Sequence, residues 1–302
     1  MNWTAVLAFL SGAILYATPL LFATLGEVIG QRAGLVNLGL EGIMLIGASV
    51  SFAVGVHTGN AGVGLLAAMA VGIMFNLLYG FLVITRRAPQ LASGLAMMFF
   101  GLGLSALIGK AFVGQGTAGL PTFQLPGLAL LGRTVFNYDP LVYIVFPLAV
   151  VVWWALFRAR WGLSLRAVGE SPATAYAAGL SPVFLRYQAV ILGGLLGSLA
   201  GAHLSLGVAR TWSEMMTAGR GWVAIALVIF AKWHPLRAMF GAILFGGAVT
   251  LQLQAQVWGI GVSPFLLDML PYLLTLVVLL LWGGARRHAA PGSLGRVYRG
   301  TE

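Results

Sequence analysis

The sequence predicts an all-α protein. It is expected to be a polytopic transmembrane helical bundle of about nine spans (eight to ten), N-terminus outside and C-terminus inside, with a short cytoplasmic helix between two of the spans. Three observations carry this. Hydrophobic residues make up 60% of the 302 and charged residues 8%, against about 45–50% and about 25% in soluble domains. A soluble globular chain is excluded on that ground, and a disordered one on its lack of polar and charged residues. The apolar residues fall in runs of the length a spanning helix needs, about 20 residues. The basic residues between those runs are biased to one side, as orientation in a membrane requires.

Taken in order, residues 1–26 carry no charge. The run 6–25 is long enough to cross and contains Pro19. It lacks a basic leader and a small-residue cleavage site, so it reads as a retained helix rather than a signal peptide. Further apolar runs occupy 36–56, 61–85, 91–109, 141–157, 187–207, a stretch ending at Ala231, 238–254 and 265–281. The stretch at 221–231 is too short to cross at 1.5 Å per residue, and extending it back to Glu214 places Arg220 inside it. A broken helix is expected there, its irregular backbone buried in protein or lining a cavity. With the N-terminus outside, 13 basic residues fall on the inside and 4 on the outside (Lys110, Arg133, Arg210 and Arg220); the opposite orientation inverts the bias. The segment 110–140 is rich in Gly and Pro and is expected to fold against the outer mouth. Residues 1–285 form one transmembrane domain, and 286–302 a basic cytoplasmic tail expected to be loose.

Several chemistries are missing. Cys is absent, which removes disulfides, thiol nucleophiles and thiolate metal sites. Gly109-Lys110 is followed by Ala111, so no phosphate-cradling Gly-rich loop is formed. The histidines His57, His203, His234 and His288 are far apart, and no two of the seven acidic residues are close. No catalytic residue, metal or cofactor is expected. The net charge of +10 is scattered between apolar runs, so no nucleic-acid partner is expected.

Four stretches carry information. In 26–42, Asn37 and Glu41 lie four apart and share a helix face. An ionisable group within an apolar run is costly and by default functional. Glu41 either lines a polar path, snorkels to the inner interface or pairs with Arg32. In 161–182, Ser171 is a good N-cap and Pro172 suits the first helical position. Residues 172–178 are Ala-rich, and Gly179 can end a helix in the left-handed conformation. A two-turn cytoplasmic helix results, which either docks in a groove on a partner or lies on lipid. In 219–235, glycines flank the start of a short apolar helix, either a broken helix with its N-terminus near the outer mouth or a tight turn. Gly193, Gly197 and Gly201 form one stripe, a close-packing helix face.

Together these stretches resemble the nucleoside-type permeases of bacterial ABC importers, relatives of the ribose and simple-sugar permeases. Residues 32–47 are similar to that group's N-terminal signature, 161–179 to its coupling loop and 219–235 to its late signature. Ser171 stands where Asn is usual, and 90–98 lacks an Asn that often follows near Met98. The resemblance implies an ABC ATPase subunit, a second homologous permease subunit and an extracytoplasmic substrate-binding lipoprotein as partners, beside membrane lipid and a small-molecule substrate. It implies location in the bacterial cytoplasmic (inner) membrane. The expected function is translocation of nucleosides or similar small polar solutes, driven by ATP hydrolysed in the partner. A simple-sugar permease of the same architecture and an ion-coupled secondary transporter using Glu41 are the alternatives. Asn37, Glu41, Gln90 and Ser93 are the expected substrate-pathway residues. Glu170, Ser171, Pro172, Ala175 and Gly179 are the expected ATPase-coupling residues.

Overall fold

The computed structural model describes residues 3–123, 137–257 and 290–297, together with positions 263, 266, 269, 273, 277 and 280. The described helices are α1 (Trp3–Arg32), α2 (Leu40–Thr58), α3 (Ala61–Gly80), α4 (Gln90–Gly109), α5 (Pro140–Phe157), α6 (Arg160–Glu170), α7 (Pro172–Ala177), α8 (Pro182–Ala202), α9 (Arg220–Phe230) and α10 (Pro235–Val257). Helix α3 continues as a π-helical turn over Phe81–Thr85, and α8 continues as one over His203–Ala209.

With these extensions, seven of the described helices are long and apolar enough to cross a membrane. Helix α9 is not: its 11 residues span about 16 Å, half the thickness of a hydrocarbon core. It is the broken element expected at 221–231. The expected span 265–281 falls mostly outside the described residues. Helix α1 runs on past Leu25 through Glu27 and Gln31 to Arg32. The two polar side chains do not end it because they bond to each other one turn apart, Gln31 Nε2 donating to Glu27 Oε1 at 2.9 Å.

The caps follow the local sequence. Asp139 accepts from Leu141 N at 2.9 Å ahead of Pro140, and Asn60 accepts from Gly62 N at 2.8 Å after the left-handed Gly59. Helices α2 and α8 form the centre. Their most apolar windows are 72% and 78% buried, against 28–44% for the other spans. The glycine stripe on α8 explains this. Gly193 lies against Gly26 of α1, Gly197 against Leu40 and Ile43 of α2, and Gly201 against the Met44 carbonyl. A side chain at Gly201 has no room, so the backbones approach closely there.

The ends of the bundle differ. One end carries Arg32, Arg86, Arg87, Arg158, Arg160 and Lys232, with α6 and α7; it is called the basic end below. At the other end, the described part of 110–140 turns back over α8. Leu120 N donates to Leu206 O, and Thr117 N to Arg210 O, both at 3.0 Å. At the basic end, residues 290–297 do not form a loose tail. Ser293 is buried; its backbone N–H donates to Gly169 O at 2.9 Å and its hydroxyl to the same oxygen at 2.7 Å. The Arg296 carbonyl accepts from Gln90 Nε2 at 3.1 Å. The segment straps the end of α6 to the start of α4.

Candidate functional site

The connection between α1 and α2 does not run along the surface. Leu35 N reaches back to Gly30 O at 3.0 Å, and Asn37 N to Glu27 Oε1 at 3.2 Å. The loop therefore returns to the level of Glu27, five residues or about 7.5 Å inside the end of α1. Helix α2 therefore begins inside the bundle rather than level with Arg32, and Glu41 in its first turn lies further still from the basic end. Of the three readings open for Glu41, snorkelling to the inner interface gives way on this point.

Glu41 is 8% exposed and faces the N-terminus of α9. Its Oε1 accepts from Gly219 N at 2.9 Å and from Thr217 Oγ1, and its Oε2 accepts from Gly221 N at 2.6 Å. A carboxylate there satisfies N–H groups that a helix leaves unpaired and complements its positive end. Snorkelling and pairing with Arg32 are both excluded; Arg32 donates instead to Trp233 O at 3.0 Å. The N-terminus of α9 thus meets the first turn of α2 inside the bundle, not the end opposite the basic end. Gly219, at φ +78°, makes the sharp approach.

A second polar cluster joins this one through the α1–α2 loop. Asn37 Nδ2 donates to Asn76 Oδ1 at 2.8 Å, Asn76 Nδ2 to Val190 O at 2.6 Å, and Tyr79 OH to Val36 O at 2.6 Å. Asn37 Oδ1 accepts from Gly39 N at 2.8 Å. Gln31 Oε1 accepts from Trp233 Nε1 at 2.6 Å. Glu27, Asn37, Asn76 and Tyr79 line a cavity of about 20 Å³, the room of a single water molecule. Gln90 accepts from Val36 N at 2.8 Å and donates to Gly34 O at 3.2 Å. Ser93, one turn along α4, is buried. Two of the four expected pathway residues, Asn37 and Gln90, thus hold the α1–α2 loop, Glu41 holds the start of α9, and Ser93 is buried one turn from Gln90.

Glu27, Gln31, Asn76, Thr217 and Trp233 belong to the same network and were not singled out in the sequence. The signal for Glu27 and Gln31 was their four-residue spacing at the edge of an apolar run. For Asn76 it was a lone amide in the middle of one.

The peg helix forms as its signals indicate. Ser171 Oγ accepts from Thr174 N at 3.3 Å, Pro172 opens α7, and Gly179 takes φ +83°. Leu180 N closes the turn on Ala175 O at 3.0 Å. Ala175 is buried and packs inward. Thr174, Tyr176, Ala177 and Gly179 face outward. Glu170 Oε2 accepts from Gly292 N at 3.1 Å, so the strap and the peg share one anchor.

At the opposite end, His203 and Asp139 bond at 3.0 Å, both buried. Burial raises the Asp139 pKa. The His203 hydrogen bond and charge, with the Leu141 and Val142 N–H groups, outweigh it and hold the carboxyl below its ordinary value.

An apolar multi-span bundle, with two helices whose starts meet inside it and a capped peg projecting from its basic end, defines a polytopic membrane transport subunit. Residues 9–279 match the family described as branched-chain amino acid transport system / permease component, and the chain belongs to that family. It is a multi-pass ABC transporter permease of the inner membrane, a class that works with ATPase and substrate-binding partners. It is 41% identical to a putative glucose ABC transporter permease protein of Haloferax volcanii, over 84% of this chain and 80% of the relative. It is 35% identical to the guanosine ABC transporter permease protein of Bacillus subtilis, over 94% of each. It is 32% identical to the nucleoside ABC transporter permease protein of Lactococcus lactis, over 90% of each.

Proposed function

We propose that this chain is the permease subunit of an ABC importer for nucleosides or simple sugars, oriented with its N-terminus outside and its C-terminus inside. The reading rests most on two relatives named for guanosine and nucleoside transport, which align over nine-tenths or more of the chain. ATP is bound and hydrolysed in a partner ATPase. A second, homologous permease completes the pathway, and an extracytoplasmic binding lipoprotein delivers the solute. Residues 1–285 carry the pathway and 286–302 the basic tail.

In this mechanism the ATPase engages the face of α7 that carries Thr174, Tyr176, Ala177 and Gly179, with Ser171 and Pro172 setting the helix and Ala175 seating it. Glu170 passes movement to the 290–297 strap, and the strap passes it through Gln90 to the α1–α2 loop. The loop carries Asn37 and reaches Glu41, which grips α9. A shift of α7 therefore repositions α2 and α9 together, moving the bundle between two populations that the partners bind differently. Asn37 and Gln90 act on the pathway by setting this loop, Glu41 by holding α9 to α2, and Ser93 from the buried face of α4 beside Gln90.

The test is uptake into proteoliposomes containing the full set of subunits. Import is expected to require ATP and the ATPase, to be competed by adenosine or by ribose according to the solute, and to collapse in Ala177→Glu. Solute concentrated by this chain alone on an ion gradient would overturn the reading.

A further inference from the structure

A half-buried basic cluster at the basic end takes no part in the mechanism above. The Phe157 ring, at the last residue of α5, has the Arg166 guanidinium carbon 4.9 Å from its centroid and that of Arg32 5.3 Å away. The His234 ring lies 5.1 Å from the same ring. Arg32 also donates to the Lys232 carbonyl at 3.4 Å. The carboxylate whose field reaches Arg32 is Glu170, but its Oε2 is turned to Gly292 N. Among the described residues the one ion pair is His203–Asp139, so neither arginine has a carboxylate partner there. Arg166 Nε is buried and makes no hydrogen bond.

Contact with an aromatic face stabilises a cation less than withdrawal from water penalises it. Two guanidiniums converging on one ring with a donor left unused therefore call for an anion with several acceptor oxygens, matching the planar fork of Arg. Depth selects the source. Arg32 ends α1 and Phe157 ends α5, the last residues of two spans, so the cluster lies at the boundary where lipid phosphates sit. Basic pockets between helices at that level hold anionic headgroups.

We infer that Arg32 and Arg166, converging on Phe157, form a binding site for the phosphate of an anionic phospholipid. The headgroup neutralises the cluster where α6 leaves the membrane and fixes the direction in which α6 carries α7.

The assembled transporter, reconstituted in nanodiscs of phosphatidylcholine with or without phosphatidylglycerol, tests this by native mass spectrometry of retained lipid. The unaltered protein is expected to retain phosphatidylglycerol over phosphatidylcholine. Arg166→Gln is expected to lower that retention about tenfold or more, as loss of a charge-assisted hydrogen bond to a phosphate oxygen does, and Arg166→Lys to restore part of it. Arg158→Gln, at an exposed arginine at the same end, is expected to lower retention only by the few-fold of a general surface charge. The unaltered protein failing to prefer phosphatidylglycerol, or equal loss in the Arg158 and Arg166 variants, overturns the site without any variant having to carry the result alone. Two more outcomes overturn the lipid as occupant. One is inorganic phosphate bound through Arg166 in pure phosphatidylcholine discs with no preference for phosphatidylglycerol. The other is Arg166→Gln loosening the ATPase while lipid retention is unchanged, which assigns the pocket to a partner's carboxylate.

Discussion

Removing the Glu41 carboxylate separates its role as a clamp on α9 from a role as an ion carrier. In Glu41→Ala, the N–H groups of Gly219 and Gly221 and the Thr217 hydroxyl all lose their acceptor. Each buried orphan costs about 1–3 kcal/mol, and an anion at a partly buried helix N-terminus contributes up to about 2 kcal/mol. Thr217 can turn to another acceptor and water can fill part of the space, which leaves a loss of about 3–5 kcal/mol. Glu41→Gln keeps one oxygen, but its amide nitrogen then faces a backbone donor; about 2 kcal/mol is expected. The assay is unfolding of the purified transporter in detergent, followed by tryptophan fluorescence, with ATP-driven uptake measured in parallel. Stability and uptake should fall in the order unaltered, Gln, Ala. If Glu41→Ala unfolds within about 1 kcal/mol of the unaltered protein, too little for even one orphaned donor, the clamp is refuted. Abolished uptake at unchanged stability would point to ion chemistry at the carboxylate instead.

Three further outcomes follow from the geometry. Asn76→Leu removes the acceptor of Asn37 and the donor to Val190 O and should cost about 2–4 kcal/mol in the same unfolding assay. Because the folded Asp139 carboxyl lies below its ordinary value, its contribution to stability is complete above about pH 4 and is lost as pH falls through the depressed value; Asp139→Asn should remove this acid limb from the stability–pH curve. Gly201→Val drives a side chain into the Met44 carbonyl, and an overpacked backbone contact costs about 1–3 kcal/mol or more, seen as loss of the monodisperse peak on size exclusion.

What could be read in the sequence was whatever depends on near neighbours. Ser171, Pro172 and Gly179 delimit a helix because a cap, a fixed φ and a left-handed residue act within a turn of where they stand. The apolar runs mark spans because each must meet lipid or another helix on its own. The glycine stripe announced close packing for the same reason. Depth was not legible. Nothing within residues 33–39 shows that this loop folds back to Glu27, because the partners that draw it inward, Asn76, Tyr79 and Gln90, lie 39 or more residues away. A polar path, snorkelling and pairing with Arg32 all stayed open for Glu41 because its partners, Thr217, Gly219 and Gly221, lie 176 or more residues away. Gln90 and Ser93 entered through resemblance rather than pattern; Gln90 bonds to the same loop and Ser93 is buried one turn along α4. The tail looked loose because Gly, Pro and Arg are what a free end contains, yet Ser293 has a fitted seat on α6 made of two carbonyls and Arg186.

That seat bears on how the protein is made. Residues 290–297 are synthesised after every helix described here, and they join α6, α4 and, through Arg186 and Ala33, the turn that follows α1. The basic end therefore stays unsealed until the ribosome has passed residue 297, however early the first spans insert. A product that stops short of residue 290 would leave the Gly169 carbonyl, the Glu170 carboxylate and the Gln90 amide without the partners this segment supplies.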